Sequence, residues 1–187
     1  MASMQRGANA SLTREIPSLA SVVLGVAFAA GAETVLTDNL VVATILCGAD
    51  GKALSDDYFV FFNQLSTPDL SVTQLEEALG SDSEQIEIDL KQVPENVSRI
   101  VVVLYLNEGT AQHRSLGQLR DCTIRVLNLD GNAELVRSEN LATGLSRETA
   151  LALGEIYRYN GEWKFKVLGS GYSTGIVGLA NDYGLTL

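Results

Sequence analysis

The sequence has few of the residues that build catalytic and metal centres. It contains one histidine, His113, and two cysteines, Cys47 and Cys122, among 187 residues. A Ser-His-Asp triad would have to use His113, but its neighbours Gln112 and Arg114 indicate an exposed loop. Two isolated cysteines form neither a disulfide framework nor a zinc site. We therefore expect buried free thiols, a reducing cytoplasm, and neither a triad enzyme nor a zinc protein.

The sequence also lacks a hydrophobic run long enough to cross a membrane. Residues 16–32 carry no charge and imitate the apolar core of a signal peptide. However, Glu15 precedes them, and Pro17, Ser18 and Ser21 interrupt them. A membrane-spanning helix needs about 20 apolar residues. We predict a buried strand here and no transmembrane segment.

Cations are scarce in one acidic part of the chain. The net charge is −10, and between Asp50 and Asp89 ten acidic residues accompany a single cation, Lys52. Such a field repels nucleic acid and attracts metal cations or basic protein surfaces. We expect no nucleic-acid binding. A solvated acidic edge that only keeps the protein soluble is the alternative interpretation.

The glycine-rich residues 169–175 do not predict a nucleotide site. They lie between a predicted strand and a predicted helix, which is the context of a phosphate-binding loop. However, the sequence has no Gly-Lys-Ser/Thr here and no later strand carrying the acidic residue of a dinucleotide fold. We expect these glycines to allow positive φ where the chain leaves the sheet.

The strongest pattern in the chain is an alternation of apolar and cationic residues around Asn160-Gly161. Ile156-Tyr-Arg-Tyr159 precedes this pair, and Trp163-Lys-Phe-Lys-Val167, with the only tryptophan, follows it. An Asn-Gly pair between alternating segments predicts a β-hairpin with a tight turn. We predict that this aromatic hairpin anchors the core.

Other runs indicate many short strands with little helix between them. Strands are predicted over residues 22–28, 39–47, 58–62, 86–90, 99–106, 123–127 and 134–137. The apolar spacing from Val72 to Leu79 predicts a short helix over residues 71–80, capped by Gly80, and a second helix is predicted over 175–183. A hydrophobic content of 46% suits one core. We predict a single domain over residues 1–187, an all-β sandwich of two antiparallel sheets with one or two short helices.

Several blocks of the sequence follow one another in a characteristic order. The C-terminal blocks are Gly-Glu-Ile-Tyr-Arg at 154–158, Glu-Trp-Lys-Phe-Lys at 162–166, Gly-Ser-Gly-Tyr at 169–172 and Gly-Leu-Ala-Asn-Asp-Tyr-Gly at 178–184. Upstream blocks lie at residues 6–13, 55–65, 88–94 and 124–128. Together they resemble the TerD family of tellurium-resistance and stress-response proteins. This resemblance favours a strand over residues 150–157, where the residues after Ser146 otherwise look like a capped helix.

The resemblance also implies a calcium site. In the family, calcium is held by an Asp-x-Asp pair at the start of the second strand and by a later Gly-Asp-Asp-Glu-like loop. Here Asn39 and Val41 occupy the positions of the pair, beside Asp38, and the later loop keeps only Asp82 and Glu84. Because calcium requires several oxygen ligands, we expect at most a weak, degenerate site. The predicted ligands are Asp38, Asn39, Asp82 and Glu84. Asn39→Asp combined with Val41→Asp should strengthen calcium binding at this site.

The leading functional hypothesis is a non-enzymatic, cytoplasmic, TerD-like stress-response module that binds or assembles with proteins. The alternative is a self-assembling structural subunit, in a ring or filament, that has lost the family calcium site. Sheet edges invite pairing unless they are covered, and residues 1–13, with Arg6 as their only charge, are suited to cover an edge of their own chain or of a neighbour. If they cross to a neighbour, the contact is head-to-tail, and deleting them should release a folded monomer.

Overall fold

The computed structural model describes residues 3–107 and 114–187, and the described chain is mostly strand. The strands are β1 (Asn9–Ser11), β2 (Ser21–Ala29), β3 (Leu40–Cys47), β4 (Phe59–Val60), β5 (Val72–Gln74), β6 (Glu84–Asp89), β7 (Arg99–Leu106), β8 (Asp121–Asn128), β9 (Glu134–Arg137), β10 (Ala150–Tyr159) and β11 (Glu162–Tyr172). The helices are α1 (Thr34–Asp38) and α2 (Gly175–Asp182). The predicted strand over 150–157 and the helix after residue 175 are confirmed.

The strands form two antiparallel sheets. One has six strands in the order β1-β11-β10-β7-β3-β4, and the other has five in the order β5-β6-β2-β8-β9. Side chains alternate between the faces of each strand, so that Val22, Leu24 and Val26 of β2 are fully buried in the core between the sheets. The predicted β-sandwich is therefore confirmed.

The aromatic hairpin is formed by β10 and β11. Asn160 and Gly161 have φ angles of 51° and 77°, and the two residues connect strands whose last pair is Tyr159 with Glu162. Positive φ at both central residues matches the twist of the strands and explains why Asn-Gly occurs here. Trp163 is only 6% exposed, and the Arg158 guanidinium carbon lies 4.2 Å from the centre of its ring. The predicted hairpin is confirmed.

A second apolar cluster lies on the outer face of the six-stranded sheet, beneath α2. Leu179 and Ala180 of the helix and Leu185 after it are buried there against side chains such as Ile45 and Val101. The helix thus covers part of this outer face. Tyr159, on the uncovered part, remains 56% exposed.

The N-terminal segment joins the two sheets of its own chain. Strand β1 pairs with β11 along the edge of the six-stranded sheet. Earlier in the segment, the Met4 N–H donates to the Arg137 carbonyl at 2.8 Å, and the Glu139 N–H donates to the Met4 carbonyl at 2.8 Å. The Arg6 guanidinium donates to the Leu141 carbonyl at 2.7 Å. The sequence left open whether residues 1–13 cover an edge of their own chain or of a neighbour. In the structure, the segment covers an edge of its own chain.

The helix predicted over residues 71–80 is wrong. Val72–Gln74 forms β5, which pairs with β6, and the Gln74 N–H donates to the Leu65 carbonyl at 2.8 Å. A short helix has a costly nucleus, and here pairing with β6 and with residues 65–67 satisfies backbone groups of the segment. Gly80 does adopt a positive φ, 76°, but in a loop and not as a helix cap.

Other boundaries also differ from the prediction. The strand predicted over 58–62 is only the two residues of β4, at an edge of the sheet and not in its interior. Strand β11 continues to Tyr172, so much of the predicted glycine loop belongs to the sheet, although Gly169 and Gly175 have positive φ as expected. In the described residues, no helix is both long and apolar enough to span a bilayer.

Candidate functional site

Three of the predicted calcium ligands lie at one end of the sandwich. Asp38, which is exposed, and Asn39 lie where α1 leads into β3, and the Asn39 side-chain amide donates to the Val35 carbonyl at 2.8 Å. Glu84 begins β6 opposite Val26, near the end of β2 that leads to α1. Glu84 is half-buried, and burial raises the pKa of its carboxyl group.

The fourth predicted ligand, Asp82, is held in an ion pair on the outer face of the five-stranded sheet. Its carboxylate accepts from Arg125 Nε at 3.0 Å and from Arg125 Nη2 at 2.9 Å. Gln85 Nε2 donates to the same carboxylate at 2.8 Å. The side chains of Asp82 and Arg125 are only 3% and 17% exposed. A Cβ on Gly25 would lie 2.2 Å from Asp82 Oδ2, so glycine is required for this close approach.

Asp82 differs from the other three predicted ligands in its partners. Its carboxylate is already bound by Arg125 and Gln85 on the outer face of the five-stranded sheet. Within residues 3–107 and 114–187, no group of three or more His, Cys, Asp and Glu side chains is arranged to hold a metal ion. Calcium binding by this chain stays a prediction.

The Asp82 pair belongs to a chain of ionic contacts across strands β8 and β9. Arg125 Nη1 lies 3.2 Å from Glu134 Oε1, and Arg137 Nη2 lies 2.6 Å from the same oxygen. The hydrogen bond from Arg137 is the main reason that the pKa of Glu134 is lowered. The hydrogen bond to Asp82 likewise raises the pKa of Arg125. Because Asp82 lies in the connection between β5 and β6, this chain of contacts fastens that connection to the sheet.

An apolar cavity of about 270 Å³ lies beside these ionic contacts. We call it the leucine groove. Its apolar lining residues are Val23, Leu75, Leu79, Leu127 and Leu129. Leu79 and Leu129 are 73% and 41% exposed. Exposed leucines gathered around one open groove, rather than scattered singly, are typical of an interaction surface.

Three carboxylates lie next to residues that line the leucine groove, in sequence or in strand register. Glu76 and Glu77 are exposed and follow Leu75 in the chain, and Glu87 lies beside Val23 in the register of β2 and β6. Within the described part of the chain, none of these three glutamates forms an ion pair. We call Glu76, Glu77 and Glu87 the acidic rim. Three of the ten acidic residues between Asp50 and Asp89 thus lie beside an apolar surface.

The opposite side of the sandwich carries a surface of the other sign. Trp163, Phe165 and Val167 point into the core, so the alternation of β11 places the two lysines between them on the outer face. Strand register sets Lys164 beside Tyr157, which in turn lies beside Arg99. The Lys164 ammonium lies 5.2 Å from the ring centre of Tyr159. We call this surface the basic face. It comprises Arg99, Tyr157, Tyr159, Lys164 and Lys166, and the same alternation also places Glu162 on it, beside Tyr159.

A buried carboxylate borders the basic face. Glu155 is 5% exposed, and its Oε1 lies 3.7 Å from Arg99 Nη1. Burial raises the pKa of Glu155, and the positive charges of Arg99 and Lys166 oppose this effect. Nearby, burial together with the charge of Glu155 raises the pKa of the Cys47 thiol to about 12. Cys47 and Cys122 are both buried free thiols, as predicted.

The sequence already indicates on which face of a strand some of these charged residues lie. The alternation in Trp163-Lys-Phe-Lys-Val167 already assigns Lys164 and Lys166 to one face of a strand. The pairing of Asp82 with Arg125 had no local signal, because 43 positions separate the two residues. His113 lies outside the described residues, so its predicted exposure is not addressed by the structure.

Comparison with known proteins assigns the chain to a family. A family profile described as "TerD domain" matches residues 1–183. The chain belongs to the TerD family. A tellurium resistance protein TerD of Serratia marcescens is 34% identical over 187 residues, covering 98% of this chain and 97% of that protein. General stress protein 16U of Bacillus subtilis (strain 168) is 36% identical over 192 residues, covering 98% and 97% of the two chains.

A solved structure shares the TerD fold of this chain. A homologue of telluride resistance protein (TerD) from Streptomyces coelicolor A3(2) superposes with a TM-score of 0.64. The match covers 87% of this chain and 96% of the other, at 18% sequence identity. The family resemblance expected from the sequence is therefore confirmed, and the sandwich described above is the architecture of a known relative.

Proposed function

We propose that this TerD-family protein is a non-catalytic binding module of a cytoplasmic stress response, and that the acidic rim of the leucine groove is its contact surface for basic protein partners. Relatives that align over nearly the whole chain are named for tellurium resistance and for general stress. Both cysteines are buried free thiols, which is compatible with a reducing compartment. The finer assignment, to protein binding, rests on the surface itself.

The observation that carries the proposal is the position of the acidic rim. Glu76, Glu77 and Glu87 form no ion pair with any described residue, whereas the nearby Asp82 and Glu134 are paired with arginines. Charged groups around an exposed apolar patch steer an oppositely charged partner and fix its orientation, while the apolar patch supplies the favourable burial. The acidic rim and the leucine groove therefore combine the two properties of a protein-binding surface.

A survival assay tests this proposal. In a host lacking its own copy, we expect the wild-type protein to raise survival under tellurite or oxidative stress. The variant Glu76→Lys, Glu77→Lys, Glu87→Lys should lose this protection at unchanged protein level, because it repels basic partners. A matched control, Glu15→Lys, Glu95→Lys, Glu162→Lys, makes the same change in net charge at sites away from the groove and should retain protection. Full protection by the acidic-rim variant would contradict the proposal.

Weak calcium binding is a separate proposal, supported by the common location of Asp38, Asn39 and Glu84 at one end of the sandwich. Calorimetric titration should give weak binding that Asn39→Asp tightens and that the control Asn63→Asp, in another loop, leaves unchanged. Identical traces for all three proteins would show that no such site exists.

Val41→Asp is unsuitable for this test, because Val41 is 9% exposed within the second apolar cluster and an aspartate there would bury a charge.

A further inference from the structure

We propose that the basic partner of the leucine groove is the basic face of a second copy of this chain. This inference rests on the proposed function, because it takes the acidic rim as the contact surface and names what binds there. Both complementary surfaces are present on one chain, so no other component is needed for association.

The arrangement of the two surfaces determines the kind of assembly. The leucine groove lies on the outer face of the five-stranded sheet, and the basic face lies on the outer face of the six-stranded sheet. In a two-layer sandwich these faces point in opposite directions. A contact between them is therefore heterologous, and repeating it produces a filament or a closed ring.

The charges of the two surfaces are complementary. Lys164 and Lys166 form no ion pair with the described residues, and Arg99 makes only the 3.7 Å contact with Glu155 while its side chain is 53% exposed. The three glutamates of the acidic rim likewise form no ion pair with a described residue. In an isolated chain these charges are solvated, and in a head-to-tail pair they neutralise one another.

The apolar parts of the two surfaces are complementary as well. Tyr159 is 56% exposed at the tip of the hairpin, and the leucine groove presents the exposed side chains of Leu79 and Leu129. Tyrosine is enriched among residues that dominate binding energy, because it combines a large apolar ring with a polar end. We infer that Tyr159 fills the groove while Lys164 and Lys166 contact the acidic rim.

The N-terminal segment is engaged within its own chain and is not offered to a neighbour. The edge of β11 is covered by β1 of the same chain, and the edge beyond β9 is bridged by Met4. These contacts satisfy backbone groups that would otherwise attract a neighbour. The assembly proposed here therefore uses the outer faces of the sandwich instead of the N-terminal segment.

Reciprocal charge reversal tests the proposal. Sedimentation velocity of the wild type at about 0.01 M salt, where charges interact over about 30 Å, should show species heavier than the 20.0 kDa chain. These species should dissociate at about 1 M salt, where the screening length is about 3 Å. The basic-face variant Lys164→Glu, Lys166→Glu and the acidic-rim variant Glu76→Lys, Glu77→Lys should each associate at least about 100-fold more weakly, because like charges then oppose one another.

An equimolar mixture of the two variants should associate again, because each then meets a surface of opposite charge. The control Lys91→Glu, Arg147→Glu alters exposed cations on neither surface and should associate like the wild type. A wild type that is monomeric at low salt overturns the proposal, as does a mixture that fails to recover association. If survival still depends on the acidic rim in that case, the proposed function stands and its basic partner is another protein.

Discussion

Trp163 and Glu155 are both buried in the aromatic hairpin, although one side chain is apolar and the other carries a carboxyl group. The Trp163 indole is buried in the apolar core between the sheets, whereas the carboxylate of Glu155 is buried near the outer surface beside Arg99. The position of Trp163 was predictable, because the alternation around Asn160-Gly161 assigns aromatic residues to one face. The burial of Glu155 was not, since it depends on packing by residues distant in sequence.

We predict that Trp163→Ala destabilises the fold by about 3–5 kcal/mol, the usual cost of truncating a large buried aromatic residue. The substitution also removes the ring over which Arg158 lies. Urea unfolding should show a clearly lower midpoint for this variant. Tyr159→Ala, which truncates an exposed aromatic residue in the same hairpin, is the control. A midpoint close to that of the wild type for Trp163→Ala would mean that the hairpin does not anchor the core.

Glu155→Gln should change how stability depends on pH. Burial raises the folded-state pKa of Glu155 above its usual value of 4.5, so the folded protein binds this proton more tightly than the unfolded chain does. Its contribution to stability is present below pH 4.5 and is lost as the pH rises through the raised pKa.

Urea unfolding between about pH 4 and about pH 8 tests this linkage. Relative to the wild type, Glu155→Gln should gain stability as the pH rises. Glu162→Gln in the same hairpin controls for the loss of one negative charge. A stability difference between Glu155→Gln and wild type that is constant across the pH range would contradict the assignment.

At the scale of elements, the sequence predicted most strands correctly where they are long or clearly alternating. The central strand β7, Arg99–Leu106, matches its prediction residue for residue. The errors concern short segments, such as β4 and β5, whose conformation is decided by pairing partners rather than by local pattern. Strand β1 was not predicted, because Asn9–Ser11 has no apolar alternation and is held by β11. Asp82 illustrates the same limit, since its orientation follows from Arg125 on another strand.

The placement of the N-terminal segment reverses one expectation from the sequence. Deleting residues 1–13 removes β1, the Met4 bridge and the buried side chain of Leu12, and it exposes the edge of β11. We therefore expect a lower thermal midpoint and increased aggregation, not the release of a stable monomer. Circular dichroism melts with light scattering on the same sample measure both effects.

A chain lacking only residues 1–3 keeps Met4, Arg6 and β1, and it is the control for the loss of sequence length. A truncated chain without residues 1–13 that remains monomeric and melts like the wild type would show that the N-terminal segment is dispensable. That result would reopen the possibility that it serves a neighbouring chain.

At the scale of the whole molecule, the groups of unpaired acidic and basic residues lie on the two opposite outer faces of the sandwich. The sequence shows the excess of acidic residues between Asp50 and Asp89, but it does not show that Asp82 is neutralised while Glu76, Glu77 and Glu87 are free to meet a partner. That distinction arises only when strands β6, β2 and β8 are brought together. We propose that these two faces bind each other in neighbouring copies of the chain.

Site-specific cross-linking tests this claim most directly. At low salt, a short bismaleimide should join Ser81→Cys in one copy to Glu162→Cys in another, because the groove and the basic face then lie against each other. Ser81 follows Gly80 of the groove and Glu162 lies beside Tyr159, so Leu79 and Tyr159 stay in place. The native thiols are buried and should not react. Leu187→Cys replaces a residue that is 65% exposed near the helix on the same outer side as Glu162, so it should not be joined to Glu162→Cys. Efficient joining of Ser81→Cys to Glu162→Cys that disappears at high salt is the predicted result, and equal yields for the two cysteine pairs would contradict it.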